Sequence, residues 1–290
     1  MGELLNVAVI GVGNWGRNVL RSFAQTPRCR VTCVCDADAK TLAAQKPLAP
    51  DARGTTDFEV ALDDRTDAVI IATEAATHYK LAAQALDAGK HVFVEKPLCL
   101  STRDAEDLVT RAARQGRKLM VGHLLLYHPC VERLAAMIGD HSLGRVYYMY
   151  TQRVNLGIVR QDENAWWSLA PHDISVICYL YGAEPVSVSA SGQCYLQEGV
   201  EDVVFALLRF ADGRIAHVHV SWLDPHKIRK MTVVGTDRMA TFDDMEPAEK
   251  IRVYDKGAEV RPDYTGFARA VAIRSGDIVI PHVPAAEPLR

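Results

Sequence analysis

The sequence predicts an α/β protein in two parts: residues 1–122 forming a doubly wound parallel sheet, and residues 123–290 forming an α/β unit on a large, open, mostly antiparallel sheet. Three observations predict this. Over about the first 120 residues, short unbroken apolar runs alternate with amphipathic stretches, which is how strands buried on both faces by crossover helices read. Beyond about residue 140, strand-like runs succeed one another with few helices between them, as in an antiparallel sheet. Finally, 290 residues are long for one core and comfortable for two.

In chain order, Asn6–Ile10, Arg30–Cys35, Ala68–Ala72, His91–Val94 and Lys118–Val121 have the length of buried strands. Trp15–Ala24, Thr77–Ala88 and Thr102–Gln115 read as helices. Gly89 closes the second and Gly116 the third, and Ser101 with Asp104 three residues on has the form of a helix cap. The boundary between the parts falls near Gly122–Pro129. In the second part Arg145–Val154, Val186–Ser191, Val203–Phe210, Arg214–Trp222, Arg229–Gly235, Met239–Phe242 and Lys250–Tyr254 are strand-like. Ala211-Asp212-Gly213-Arg214 supplies a hairpin turn. One helix interrupts, His172–Tyr181, with Gly182 where a left-handed cap is wanted.

Composition narrows the class. Hydrophobic residues make up 49% and charged residues 24%, with a formal net charge of −3. That is ordinary for a soluble globular chain and argues against nucleic-acid binding by charge alone. No apolar run approaches the roughly 18 residues of a membrane span. The N-terminus runs into a strand without a basic leader segment, so no secretory signal is expected. The seven cysteines are scattered and form no C-x-x-C pair. They read as small core residues in a reducing compartment, not as a disulfide frame or zinc site. A cytoplasmic protein without membrane or nucleic-acid partners is expected.

The first strand ends in GVGNWG, which places Gly11, Gly13 and Gly16 in a G-x-G-x-x-G. The string alone is weak, but a strand precedes it, a helix follows, and a second strand ends at Asp36, 20 residues after Gly16. Gly11 permits the tight turn, Gly13 lets the backbone approach a pyrophosphate, and Gly16 lets helix and strand pack closely. The helix N-terminus offers N–H groups to the phosphates. Asp36 would accept from the ribose hydroxyls and repel a 2′-phosphate, and no arginine follows it closely. NAD is therefore the expected cofactor, with NADP disfavoured.

The stretch HVFVEKPL delivers two opposite charges, Glu95 and Lys96, at the tip of a buried strand. One reading is that charges mark where the strand leaves the core. The other is functional, because in a doubly wound sheet ligands sit outside the carboxyl ends of the strands. That edge also collects Thr73, Glu74, Gly122 and His123.

GVGNWG, ATEAATH (Ala72–His78), AGKHVFVEKPL (Ala88–Leu98) and PHDISVICYLYG (Pro171–Gly182) follow in an order that resembles the Gfo/Idh/MocA family over nearly the whole chain. These are nicotinamide-dependent dehydrogenases and reductases, mostly of sugars and cyclitols. The resemblance implies a dinucleotide-binding Rossmann domain, then a domain for substrate binding and oligomerisation through the outer face of its sheet. It implies cofactor contacts from Gly11, Gly13, Asn14, Trp15, Gly16, Asp36, Thr73, Glu74, His78, Glu95, Lys96 and Pro97, with Glu95–Lys96–Pro97 shaping the nicotinamide pocket, often through a cis bond before the proline. Lys96 would contact the reacting oxygen, and His172 resembles the family's general acid/base.

Two departures stand out. Many relatives carry an aspartate four residues before the histidine, where this chain has Ser168. Asp173 follows His172 directly, but on a helix it points about 100° away. Relatives also usually continue past the equivalent of Pro288–Arg290 into a further helix that returns to the first domain, so the sequence is expected to be either truncated or naturally short, with a weaker domain interface.

Tyr150–Gly157, Arg160 and the run Thr232–Gly257 most resemble members acting on nucleotide-activated sugars, including UDP-N-acetylhexosamine 3-dehydrogenases. On that basis Arg153, Asn155 and Arg160 would meet the sugar or its diphosphate, with His123, Tyr127, Ser168 and His172 as further substrate contacts. Lys227, Arg229 and Lys230 read as a solvated strand edge. His217 and His219 share a strand face and lack a third ligand, so no metal is expected. Three functions fit: net redox at a sugar carbon, C3 by resemblance; a glycoside hydrolase with transient oxidation on bound NAD; or a non-catalytic NAD-binding sensor.

Overall fold

The computed structural model describes residues 4–157, 159–160, 163–262, 269–284 and 289. The chain divides into two compact units, the first ending at His123 and the second beginning at Leu124.

The first unit runs β1 (Leu5–Ile10), α1 (Gly16–Gln25), β2 (Cys29–Cys35), α2 (Ala39–Gln45), β3 (Arg53–Thr55), β4 (Ala68–Ile71), α3 (Ala75–Asp87), β5 (His91–Glu95), α4 (Thr102–Gln115) and β6 (Leu119–Gly122). Its six strands pair in parallel in the order β3-β2-β1-β4-β5-β6. Each central strand is apolar on both sides because both faces are covered. Val7, Val9 and Ile70 pack with Val19 and Leu20 on one face, while Ala8, Ile10, Val69 and Ile71 pack with Leu86 and Leu108 on the other. The strand order reverses between β1 and β4, so the crevice of a doubly wound sheet opens where those strands end.

The second unit runs α5 (Pro129–Gly139), β7 (Val146–Val154), α6 (Ala165–Tyr181), β8 (Ser187–Gln193), β9 (Val203–Arg209), β10 (Ile215–Ser221), β11 (Ile228–Gly235), β12 (Met239–Asp243), β13 (Ile251–Pro262) and β14 (Arg269–Val279). The strands form one sheet, β14-β13-β12-β11-β7-β10-β9-β8. The β7–β10 pair is parallel and the others described are antiparallel. Leu134 of α5, Ile177 and Leu180 of α6, and Met149, Leu208, Val218 and Val233 of the sheet share one core with Trp222. The β9–β10 hairpin turns at Gly213, φ 87°, and Asp212 accepts from the Arg214 N–H.

Caps fall where the residue types place them. Ser101 accepts from Asp104 N at the start of α4, and Gly116 and Gly182 end α4 and α6 in the left-handed conformation. Five features differ from the sequence reading. β3, α2, α5 and β14 are additional elements, and α6 begins at Ala165, not His172. Asn164 caps it by accepting from Trp167 N, so Pro171 lies inside the helix. A helix accepts an internal proline at the loss of one backbone hydrogen bond, and here the tertiary packing of Ala165, Ala170, Val176 and Ile177 outweighs it.

The cysteines carry no disulfide among the described residues. Burial first, then the neighbouring Cys33, Asp36 and Asp57, pushes the Cys35 thiol up to about 12, as expected of a core residue. No described helix is long and apolar enough to cross a membrane. Of the C-terminal residues noted above, Pro288 and Arg290 lie outside the described residues.

Candidate active site

In the first unit, the loop after β1 is built by its glycines. Gly11 has φ 79°, and a Cβ there would lie 2.7 Å from Thr73 Cγ2 and 2.8 Å from Thr73 N. A Cβ on Gly16 would run into the Gly11 carbonyl oxygen. Gly13 differs: a Cβ there meets nothing within 4 Å, so packing within the protein does not require a glycine at this position. Asn14 and Trp15 are exposed beside it, and no side chain caps α1. The helix N-terminus is thus left to bind something else.

Asp36, at the end of β2, closes the loop from the other side. One carboxylate oxygen accepts from Val12 N at 2.8 Å, the other from Asp38 N at 3.0 Å. Each oxygen keeps a second acceptor site. Across the strand-order reversal, Thr73 Oγ1 is 2.7 Å from Thr77 Oγ1, and Thr77 also donates to Glu74 O. Those hydroxyls fix the turn into α3.

β5 ends in the charged tip. The Lys96–Pro97 bond is cis. Glu95 is buried, and burial pushes its carboxyl up against hydrogen bonds from the Trp15 side chain and the Lys96 backbone, and the charge of Lys96. Its Oε1 has no hydrogen-bond partner among the described residues and leans over Gly122, where a Cβ would lie 3.0 Å away. Gly122 pairs with Glu95 across β5–β6 and leaves the room that the carboxyl occupies. This role has a sequence signal only once the register is known. His123 follows, and burial, with the Lys96 charge second, holds its imidazole below the ordinary histidine range. It is therefore neutral at neutral pH.

Two residues are placed differently from expectation. His78, expected to meet the cofactor, is 1% exposed. Its Nδ1 lies 2.7 Å from Pro97 O and its Nε2 3.1 Å from Thr73 O. It braces the two loops from behind. Arg153, expected to meet the substrate, is buried in the second unit. It is 8% exposed and donates Nε and Nη2 to Asp173 at 3.0 and 2.8 Å, so its fork is committed inside the second unit.

The other second-unit candidates are more open. Ser168 and His172 lie four residues apart on α6 and therefore on one helix face. Tyr127 is exposed in the 3₁₀ turn Leu124–Tyr127. Asn155 lies just past β7, its backbone N–H donating to Ser221 O. Arg160 is exposed and paired with Glu163 at 3.0 Å.

The donors in the first unit suit a dinucleotide. The open space at Gly13, the uncapped start of α1 and the fixed Asp36 carboxylate would take the pyrophosphate and the ribose hydroxyls. Among the described residues no cluster of three or more His, Cys, Asp or Glu is placed to hold a metal. His217 and His219 instead stack on Phe205.

A family model described as an oxidoreductase family with an NAD-binding Rossmann fold matches residues 5–123, and a GFO/IDH/MocA C-terminal domain matches residues 131–241. UDP-N-acetylglucosamine 3-dehydrogenase of Acidithiobacillus ferrooxidans is 28% identical over 263 residues, covering 90% of this chain and 80% of that protein. A solved structure of that enzyme, GnnA, covers 100% of this chain and 86% of its own at TM-score 0.80 and 26% identity. GenD2 from gentamicin A biosynthesis, solved with NAD, is 30% identical at TM-score 0.80, covering 88% of this chain and 76% of its own. The 2,7-anhydro-N-acetylneuraminate hydratase of Escherichia coli is 24% identical over 274 residues, 86% of this chain and 70% of that protein. With both halves matched in order and the glycine loop, Asp36 and the EKP tip in place, the chain belongs to the Gfo/Idh/MocA family of NAD-binding oxidoreductases.

Proposed function

We propose that this chain transfers a hydride between NAD and a ring carbon, C3, of a nucleotide-activated sugar. Similarity to a UDP-N-acetylglucosamine 3-dehydrogenase over 90% of the chain carries the reading. The fixed Asp36 carboxylate supports NAD over NADP, since a 2′-phosphate would meet its charge.

When bound, NAD supplies the acceptor for the hydride lost from the sugar carbon. Lys96 holds the sugar oxygen and stabilises negative charge as it develops there. His172 takes the hydroxyl proton as the carbon becomes a carbonyl, and returns it in the reverse direction. Ser168 hydrogen-bonds a sugar hydroxyl without adding a charge. Arg160, exposed on the loop before α6, is the guanidinium suited to the sugar nucleotide, since Arg153 is committed elsewhere.

The test follows NADH absorbance with NAD and a panel of UDP- and dTDP-sugars. A signal with at least one is expected, with kcat reduced about 10²–10⁴-fold in His172→Ala and lost in Lys96→Ala, while NAD binding persists in both. Unchanged turnover in Lys96→Ala would sink the mechanism. A second reading is kept by the relative named as a hydratase, a reaction without net oxidation. Substrate consumed without NADH accumulating would favour it.

A further inference from the structure

Arg153 and Asp173 form a buried, bidentate pair between β7 and α6, one residue beyond His172. Its setting gives it a task other than binding substrate. Pro171 has no N–H to donate to the carbonyl of Trp167, so the ladder of α6 is interrupted just before His172. The helix is least able to fix its own geometry where the proton carrier sits. The next residue, Asp173, is held to the sheet by two hydrogen bonds of fixed fork geometry.

Among the described residues Asp173 supplies the hydrogen bonds of the Arg153 fork, and Asp244 adds a weaker charge attraction. Arg153 lies opposite Arg229 in the β7–β11 ladder, and like charges in that position repel. Arg229 is answered by Asp244 at 3.7 Å. Asp244 also takes Lys250 at 3.1 Å and lies 3.6 Å from His128 Nε2. That carboxylate is already shared, and among the described residues Asp173 is the side chain hydrogen-bonded to the Arg153 fork. Successive helix residues are about 100° apart, so holding Asp173 against β7 sets the azimuth of His172 and of Ser168 on the same face.

We infer that Arg153 and Asp173 are positioning residues: the pair sets the rotation of α6 and thereby where His172 presents its imidazole. This rests on His172 carrying the proton. Stability and positioning are separable, because a buried ion pair replaced by apolar residues of similar volume is often neutral for stability.

The experiment compares wild type, Arg153→Met/Asp173→Leu, Asp173→Asn and His172→Ala in melting temperature, NAD affinity, kcat, KM and the pH profile of kcat. The double variant is expected to melt near wild type and bind NAD equally. Its kcat should fall about 10²-fold, the cost of roughly an ångström of misplacement, with KM within threefold and a shifted pH profile. Asp173→Asn, which keeps one acceptor, should fold and lose at least tenfold in kcat. A folded double variant with wild-type kcat and pH profile overturns the inference, as does wild-type kcat in Asp173→Asn should the double variant not fold. The underlying reading fails separately, if His172→Ala keeps full activity.

Discussion

At the scale of single residues, the glycine loop separates folding from binding. A methyl on Gly16 meets the carbonyl oxygen of Gly11, which is backbone and has nowhere to go. Gly16→Ala should lose about 1–3 kcal/mol of stability, the usual cost of overpacking, and NAD affinity with it. A methyl on Gly13 meets nothing within 4 Å, so Gly13→Ala should melt within about 0.5 kcal/mol of wild type, as an uncrowded substitution does, yet bind NAD at least tenfold more weakly. Thermal melts paired with NAD titrations check both. Wild-type NAD affinity in Gly13→Ala would mean that the dinucleotide does not approach the backbone there. These glycines and Asp36 are legible in the sequence because fixed spacing from one strand end defines their surroundings. Arg153 is not: its partner Asp173 lies 20 residues away on another element, and only the fold shows that the guanidinium is committed. His78 is hidden likewise, since one of the carbonyls it braces belongs to Pro97, 19 residues on.

At the scale of elements, α5 depends on one histidine. His128 Nδ1 accepts from Cys130 N at 3.1 Å, so the cap requires an unprotonated Nδ1. Burial holds the imidazole below its ordinary range, opposed by Asp244 and helped by Lys250. The folded state thus binds this proton more weakly than the unfolded chain does. The contribution to stability is complete above the unfolded value of about 6.5 and is lost as pH falls below it toward the folded value. Urea midpoints from pH 8 to pH 5 should therefore fall more steeply in wild type than in His128→Ala. At pH 8 the variant should already be about 1 kcal/mol less stable through loss of the cap. Parallel slopes would remove His128 as the acid-sensitive group. The helix itself has a sequence signal, Pro129 at its first position and apolar Val131, Leu134 and Met137 in helical spacing, masked by its place at the boundary between two rhythms. β3 has none, because Arg53-Gly54-Thr55 carries no apolar pattern and is drawn into the sheet by its pairing with β2. The start of α6 is misread from sequence because Pro171 resembles a boundary, while packing carries the helix through it.

At the scale of the whole molecule, both sheets are legible because burial on one or two faces imposes a pattern that no single residue carries. The outer face of the second sheet breaks that pattern. Met149 on β7, Ala206 on β9 and Val218 on β10 point into the core. Tyr148, Tyr150 and Phe205 point the other way, 40%, 42% and 46% exposed. Across the ladders His217 lies between Leu207 and Tyr150, and His219 between Phe205 and Gln152. Phe205 stacks on His219 at 4.3 Å and Tyr148 on Tyr150 at 6.4 Å. A continuous aromatic surface over three strands, with few charges, has the composition of an interface core. A flat face of one chain meets its own copy most simply about a twofold axis, where each contact is made twice. The expected state is a dimer, or a tetramer built on it, joined through this face. Tyr150→Asp with Phe205→Asp would place four carboxylates in such an interface, two from each copy. In sedimentation at micromolar concentration, wild type should run as a multiple of 32.0 kDa and the double variant as a single chain. NAD affinity should be unchanged, since the loop that holds the dinucleotide lies in the first unit. A wild type that sediments as one chain, or a charged variant that still assembles, would assign this aromatic face to something other than self-association.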